Sequence, residues 1–305
     1  MDSAAKDLWY TIFRPIICGL FLEKNTCQNN SLFTKEKMTK NLTEIHTQRL
    51  LVTQSFGRES EYKRVAITLL SFYAQSGNTD IRSLLFTDNP AWFSKLFDGL
   101  PIDFVLLTPQ KMEQMRGAID FLHRMKIAMI EEAFELHPKA NILYVDSDTF
   151  FIKNPEQLFS EIENGQCFMH LHEFEFEQVR HASGDTGAKF SAYLKLMESK
   201  AFETSKGTET FTAKHSSWNA GVMGLPNFIK NNLADVYAIT EQSYPQTDNH
   251  ASEQFAFSFV LQTRYGLKPC DEYVYHYWYV TKKKIIDLFT KKNINTAFEN
   301  LILVD

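Results

Sequence analysis

Asn141-Ile-Leu-Tyr-Val-Asp-Ser-Asp-Thr-Phe-Phe-Ile152 decides how the rest of the chain is read. The apolar run 142–145 leads straight into Asp146-Ser147-Asp148, and a second apolar run follows at once. This pattern predicts a buried strand that delivers two carboxylates to the edge of a sheet. Residues two apart on an extended chain point the same way, so Asp146 and Asp148 can converge on one cation. Hard divalent ions such as Mg²⁺ and Mn²⁺ take oxygen ligands and often bridge to substrate phosphates. The plainer reading is a strand closed by a polar turn, because Asp-x-Asp is short, so the surrounding sequence has to separate the two.

Composition sets the frame. The 305 residues suffice for one large domain or two modest ones, and 44% hydrophobic with 23% charged residues is ordinary for a globular protein. The 26 Phe and 12 Tyr supply aromatics for a ligand site as well as a core. A net charge of −5 gives no sign of a nucleic-acid partner. Cysteines at 18, 27, 167 and 270 show no paired metal-ligand spacing and are too sparse for a disulfide framework. They are read as reduced thiols of a cytoplasmic protein. No stretch has the length of a transmembrane helix; the nearest, 8–22, is interrupted by Arg14 and Pro15. It reads as a helix packed on the domain or as a peripheral contact with a membrane surface. A third option is that it is not native, with Met38 an alternative start.

The first half alternates strand and helix. Residues 50–53, 83–87, 104–108 and 142–145 read as strands; 61–75, 91–97 and 111–136 read as helices, the last with an apolar stripe of Leu122, Met125, Met129 and Ala133. That order predicts an α/β fold with a parallel sheet flanked by helices, whose ligands bind beyond the carboxyl ends of the strands. The second half is less regular. Strands are expected at 167–171 and 273–280, helices at 191–198, 228–242 and 251–265, and an insertion or lid at 173–215.

Several motifs in one order resemble the family-8 glycosyltransferases of the GT-A fold, the family of glycogenin and the bacterial lipopolysaccharide galactosyltransferases. Leu143-Tyr144-Val145-Asp146-Ser147-Asp148-Thr149 resembles the family's strand and metal motif, and Arg124-Met125-Lys126-Ile127 its preceding helix. Trp218-Asn219-Ala220-Gly221-Val222 resembles the donor-sugar loop, and Ser252-Glu253-Gln254 sits where the family has Asp-Gln. His276 and Lys282 resemble the carboxyl-terminal His-x-x-Gly-x-x-Lys motif without its glycine. The likeness covers roughly 49–285.

The resemblance implies a GT-A (Rossmann-like) mixed, mostly parallel sheet flanked by helices. It implies an amino-terminal extension at 1–48, a transferase domain at 49–290 and a tail at 291–305. The domain divides into a nucleotide-binding half, 49–150, and an acceptor and donor-sugar half, 151–290. It implies a retaining hexosyltransferase that uses a UDP-sugar and Mn²⁺ or Mg²⁺, with a glycan, lipid-linked saccharide or protein as acceptor. The expected metal ligands are Asp146, Asp148 and His276. Thr53 and Tyr62 are expected at the uridine end, Arg124 and Lys282 on the donor, and Asn219, Ala220 and Gly221 around its sugar. Glu253 and Gln254 are the expected catalytic pair.

The residue chemistry agrees with parts of this. Two carboxylates and an imidazole suit Mn²⁺. A glycine lets backbone approach a ligand closely. Arg124 and Lys126, two apart on a helix, point to nearly opposite sides, and Arg124 is chosen for the donor. His170 and His172 read as structural. The missing glycine and Glu253 in place of Asp keep open a nucleotide-sugar-binding protein with little or no turnover. A sugar nucleotidyltransferase would need a glycine-rich, basic phosphate loop after the first strand, and there is none.

Overall fold

The computed structural model describes residues 48–77, 81–94 and 96–289. The expected helix near 8–22, the tail 291–305, Cys18 and Cys27 lie outside those residues.

Strands β1 (Gln48–Ser55), β2 (Arg82–Thr87), β3 (Ile102–Leu106) and β4 (Ala140–Val145) alternate with helices α1 (Glu59–Ser76), α2 (Pro90–Ser94), α3 (Pro109–Arg116) and α4 (Arg124–Leu136). Then follow β5 (Thr149–Phe151), α5 (Glu156–Glu163), β6 (Cys167–Met169), β7 (His172–Glu175) and α6 (Gly184–Ser199). After the short hairpin β8 (Phe202–Thr204) and β9 (Gly207–Glu209) come β10 (Ser216–Trp218), β11 (Val222–Leu225), α7 (Leu233–Thr247) and α8 (Ser252–Arg264). Strands β12 (Leu267–Pro269) and β13 (Val274–His276) and helix α9 (Val280–Phe289) complete the described chain.

Seven strands form one sheet in the order β12-β6-β11-β4-β1-β2-β3. Strands β4, β1, β2 and β3 pair in parallel, as do β12 and β6, whereas β11 runs antiparallel to both its neighbours. The sheet is the mixed, mostly parallel one expected, with helices on both faces. The edge strands β3 and β12 are partly exposed, whereas the central strand β4 and the middle of β1 are continuous buried runs because both faces are covered there. Alternation then divides them: Leu50, Val52, Ile142 and Tyr144 enter one core, Leu51, Leu143 and Val145 the other.

Three expectations change. The helix over 111–136 is two helices, because Gly117 and Asp120 both adopt positive φ, 67° and 46°, and turn the chain between them. Leu122, placed on its apolar stripe, consequently lies half exposed in that turn. The stretch 173–215, expected as an insertion or lid, packs into the core rather than lying over the cleft as a separate lid. Phe176, Tyr193 and Phe211 are buried against Phe255 and Phe259 of α8, with ring centroids 4.8, 4.6 and 4.4 Å apart for 176–255, 193–255 and 211–259. The strand over 273–280 is shorter, and Val280 already begins α9. Among the described residues no helix is long and apolar enough to cross a membrane.

The core on the α1 side is held by aromatic edges. Phe72 is fully buried and meets Tyr73, Phe151 and Phe159 with centroids at 5.1, 5.0 and 6.4 Å. Phe72→Ala is expected to lower unfolding stability by about 3–5 kcal/mol. Urea denaturation checks it, and a loss below ~1 kcal/mol would show that this core readily collapses around the change.

Candidate functional site

The carboxyl edge of the sheet opens into a cleft of about 1270 Å³, lined among others by Gln54, Lys126, Asp146, Asp148, Glu173, Gly221, Glu253, His276 and Lys283. This exceeds the roughly 300–1,000 Å³ of a drug-sized ligand site. Asp146 follows the last residue of β4. Its N–H donates to Gly221 O at 2.8 Å, which ties the metal-motif segment to the loop before β11. Residues 146–148 form a tight turn rather than an extended strand end, closed by Thr149 Oγ1 donating to Asp146 O at 2.8 Å. The two carboxylates converge through that turn, not through strand periodicity.

His276, at the end of β13, reaches them because β13 pairs antiparallel with β5, which the turn leads into. One donor atom from each of Asp146, Asp148 and His276 lies within 4.8 Å of the others. The orientation of the imidazole is fixed. Asn219 Oδ1 accepts the Gly221 N–H at 3.0 Å and lies 2.9 Å from His276 Nδ1. Nδ1 must therefore carry the proton, which leaves Nε2 facing Asp148 Oδ1 at 3.3 Å. A lone pair facing a carboxylate is repulsive unless a proton or a cation lies between them. Two carboxylates and an imidazole tied at its second nitrogen are thus a donor set that fits a divalent ion such as Mn²⁺.

Gly221 makes room for this. A Cβ there would stand 2.0 Å from His276 Cε1 and 2.2 Å from Nδ1. No larger residue is compatible with the ring in this place.

The cations near the aspartates are not the two the sequence reading chose. Lys126, buried in α4, sets its Nζ 3.2 Å from Asp146 Oδ2, 3.4 Å from Glu253 Oε1 and 3.1 Å from Ala220 O. Burial pushes its ammonium down, but Asp146 and Glu253 outweigh this and hold it above the ordinary lysine value. Arg124 points the other way. Its guanidinium donates to Met115 O and Glu241 Oε1, both at 2.7 Å, and stacks 4.5 Å over Tyr237, clamping the α3–α4 turn onto α7. Lys282 lies over the rings of Tyr275 and Tyr279, while Lys283 turns inward, its Nζ 2.6 Å from Asp148 Oδ2. Burial by itself would raise the Asp148 carboxyl; His276 and Lys283 reverse this and hold it well below the usual carboxylate range.

The other expected residues also have definite places. Thr53 is wholly buried in β1 and does not line the cleft; the next residue does. Gln54 Nε2 donates to Tyr144 Oη at 3.0 Å, and Tyr144 donates to Asp146 Oδ1 at 2.7 Å. Tyr62 is off the cleft wall. Its hydroxyl donates to Asp88 Oδ1 at 2.7 Å, and Asp88 Oδ2 also receives the Gly57 N–H, so the ring braces the first loop from behind. Ala220 contributes backbone only. Asn219 Nδ2 and Gln254 Nε2 donate to Glu173 at 3.0 and 2.8 Å, and Gln254 Oε1 accepts from Ala220 N at 3.1 Å. Both amides therefore shape the 219–221 loop. Glu253 is buried with one oxygen on Lys126, while Oε2 has no hydrogen-bond partner among the described residues.

Sequence reasoning missed Glu173, Lys283 and the contribution of Tyr144. Lys126 and Lys283 each lay within two residues of a chosen one, but Glu173 stood in the stretch read as a lid. His170 is structural, as expected. It donates Nε2–H to Val274 O at 3.0 Å, and burial, with the charge of His276 a smaller cause, lowers its pKa from 6.5 to about 4. His172 instead sits exposed on the cleft wall beside Trp218.

No protein-family model matches the sequence, and no curated protein sequence does. Solved structures do match. The galactosyltransferase LgtC, in complex with donor and acceptor sugar analogs, is 15% identical over 69% of this chain and 70% of its own, with a TM-score of 0.42. Mouse xyloside xylosyltransferase 1 is 14% identical over 73% of this chain and 85% of its own, TM-score 0.43. The glycosyltransferase GlyE of Streptococcus pneumoniae TIGR4 is 14% identical over 73% of this chain but only 45% of its own, TM-score 0.43. At these values the likeness carries no functional weight, and the chemistry has to come from the cleft.

Two outcomes are expected from this geometry. Gly221→Ala should push His276 off Asn219 and lower Mn²⁺ affinity by roughly 10–100-fold, the range for losing an orienting partner of a metal-bound histidine; electron paramagnetic resonance of free Mn²⁺ reads it, and an unchanged affinity would contradict the proposed ligand set. Between pH 6.5 and about 4 the unfolded chain protonates His170 while the folded chain resists. Stability should therefore fall as pH drops through that window, by up to roughly 3 kcal/mol. His170→Gln, which keeps a donor for Val274 O, should flatten that part of the pH–stability curve.

Proposed function

We propose that this chain is a metal-dependent, retaining glycosyltransferase of the GT-A type that moves a hexose from a UDP-sugar to an acceptor hydroxyl. The observation that carries the reading is the convergence of Asp146, Asp148 and an Asn219-oriented His276 at the carboxyl edge of the sheet, inside a cleft large enough for a nucleotide sugar. When bound there, Mn²⁺ or Mg²⁺ supplies Lewis-acid stabilisation of the departing nucleotide diphosphate.

The chain's own residues do the rest. Asp146 is held by Tyr144 and Lys126 so that its oxygens stay at the cleft floor. Lys283 brings a second cation to the place where diphosphate charge grows. Glu253 offers its unpartnered Oε2 to a sugar hydroxyl or to positive charge developing at the anomeric carbon. Gln254 and Glu173 hold the 219–221 loop that carries His276's orienting partner. Retention of configuration, the hexose and the uridine rest on the motif resemblance. The acceptor is a glycan, a lipid-linked saccharide or a protein.

A nucleotide-sugar-binding protein without turnover is the second reading, favoured by the pairing of each aspartate with a lysine, Asp146 with Lys126 and Asp148 with Lys283. One experiment separates them. With a panel of UDP-sugars and Mn²⁺, the wild type should release UDP. Asp146→Asn and Asp148→Asn should each reduce that rate by more than ~100-fold, since loss of an outer-shell partner alone costs 10–100-fold. Metal-dependent binding without UDP release selects the second reading, and neither binding nor release with any UDP-sugar removes both.

A further inference from the structure

Helix α9 carries three consecutive lysines, about 100° apart around its axis, and each has a different environment. Lys282 lies on Tyr275 and Tyr279, and Lys284 is exposed. Lys283 alone enters the cleft, 2.6 Å from Asp148 Oδ2, while His276 Nε2 stands 3.3 Å from the other oxygen of the same carboxylate. The backbone beneath Lys283 is fixed. Ile286 is buried in the core, and Arg64 grips Asp287 through two hydrogen bonds of 2.9 and 2.7 Å. The lysine side chain itself is one-third exposed on a flexible four-carbon stem. It is free to pivot where the helix is not.

A divalent ion held by Asp146, Asp148 and His276 would place two positive charges beside this ammonium. At such separations like charges repel strongly even near a protein surface. The ammonium and the ion therefore compete for Asp148. Because α9 stays in place, a displaced Nζ remains in the cleft, next to wherever an anionic group binds the ion.

Building on the metal-site reading above, we infer that Lys283 is a built-in competitor of the divalent ion. It neutralises Asp148 when the ion is absent, yields the carboxylate when the ion binds, and then serves as the cation for the diphosphate of the donor. Metal and nucleotide are thereby coupled, because each favours the same withdrawn position of one side chain, and the coupling is reciprocal.

The test measures binding, not turnover. Mn²⁺ affinity of the full chain is read by electron paramagnetic resonance with and without UDP, and UDP affinity by calorimetry at saturating Mn²⁺. Lys283→Gln should bind Mn²⁺ alone about fivefold more tightly, the scale of one part-exposed ion pair. It should bind UDP more weakly in the presence of Mn²⁺, so that the metal–UDP coupling shrinks. Lys283→Arg should keep the competition, and Lys284→Gln should match the wild type in both. If Lys283→Gln and wild type bind Mn²⁺ equally while Asp148→Asn abolishes it, the metal site stands and the competition is refuted. If neither wild type nor Lys283→Gln binds Mn²⁺, the metal-site reading and the competition are both overturned.

Discussion

The antiparallel pairing of β11 with β4 is the constraint on which the cleft depends. Its other neighbour in the sheet, β1, is parallel, so a parallel strand in place of β11 would bring only another strand end to this edge. The reversed strand brings its beginning there instead. Val222 sits opposite Val145, the Asp146 N–H reaches Gly221 O, and the loop 219–221 is pinned beside the two aspartates. Two residues before Gly221, Asn219 fixes the proton of His276. A glycine at 221 is then forced by space rather than by backbone angle, since its φ is not positive and the imidazole occupies the volume of a side chain. Strand direction, a missing Cβ and a ring tautomer are three consequences of one ladder.

The electrostatics of the cleft work against the fold's stability. Lys126, Asp146 and Glu253 are removed largely or wholly from water, and each buried ion carries a desolvation penalty of several kcal/mol. Mutual attraction offsets that penalty only in good geometry, and apolar residues of the same volume would serve stability as well or better. Among the described residues, Glu253 retains one buried oxygen with no partner. Such a group is tolerated where something outside the chain completes it, which is why perturbed and unsatisfied charges concentrate at functional sites. The apolar cores on either side of the sheet supply the stability that this cluster does not.

How far the chain could be read before folding follows from the range of each signal. The strands and the Asp146–Asp148 pair were legible because burial on both faces writes a continuous apolar run and then stops. The helix break after α3 was less visible. Gly117 lay inside an otherwise good helical pattern, and its positive φ, followed by that of Asp120, ends the helix, with the Arg124 guanidinium packed where a Cβ at 117 would stand. The choice between adjacent cations was out of reach. Successive residues on a helix differ by 100°, so a spacing that falls on Lys282 or Arg124 says nothing about which side of the helix faces the cleft. Glu173 had no local signature, because its role comes from β7 pairing with β10 in three dimensions.

The bonding state of the acids divides the cleft into parts that hold and parts that are open. Both oxygens of Glu173 are taken by Asn219, Ser217 and Gln254. Asp146 accepts from Tyr144 and Lys126, and Asp148 faces His276 and Lys283. Of the cations on the aspartates, Lys126 is locked between two carboxylates and a carbonyl, whereas the Lys283 ammonium has one ion-pair partner among the described residues and room to move. A ligand entering this cleft therefore meets two adjustable contacts, the free oxygen of Glu253 and the ammonium of Lys283, while the carboxylate oxygens of Asp146, Asp148 and Glu173 already have partners among the described residues. A rigid frame with few open valences is what preorganisation requires, since binding then needs little rearrangement beyond the groups that touch the ligand.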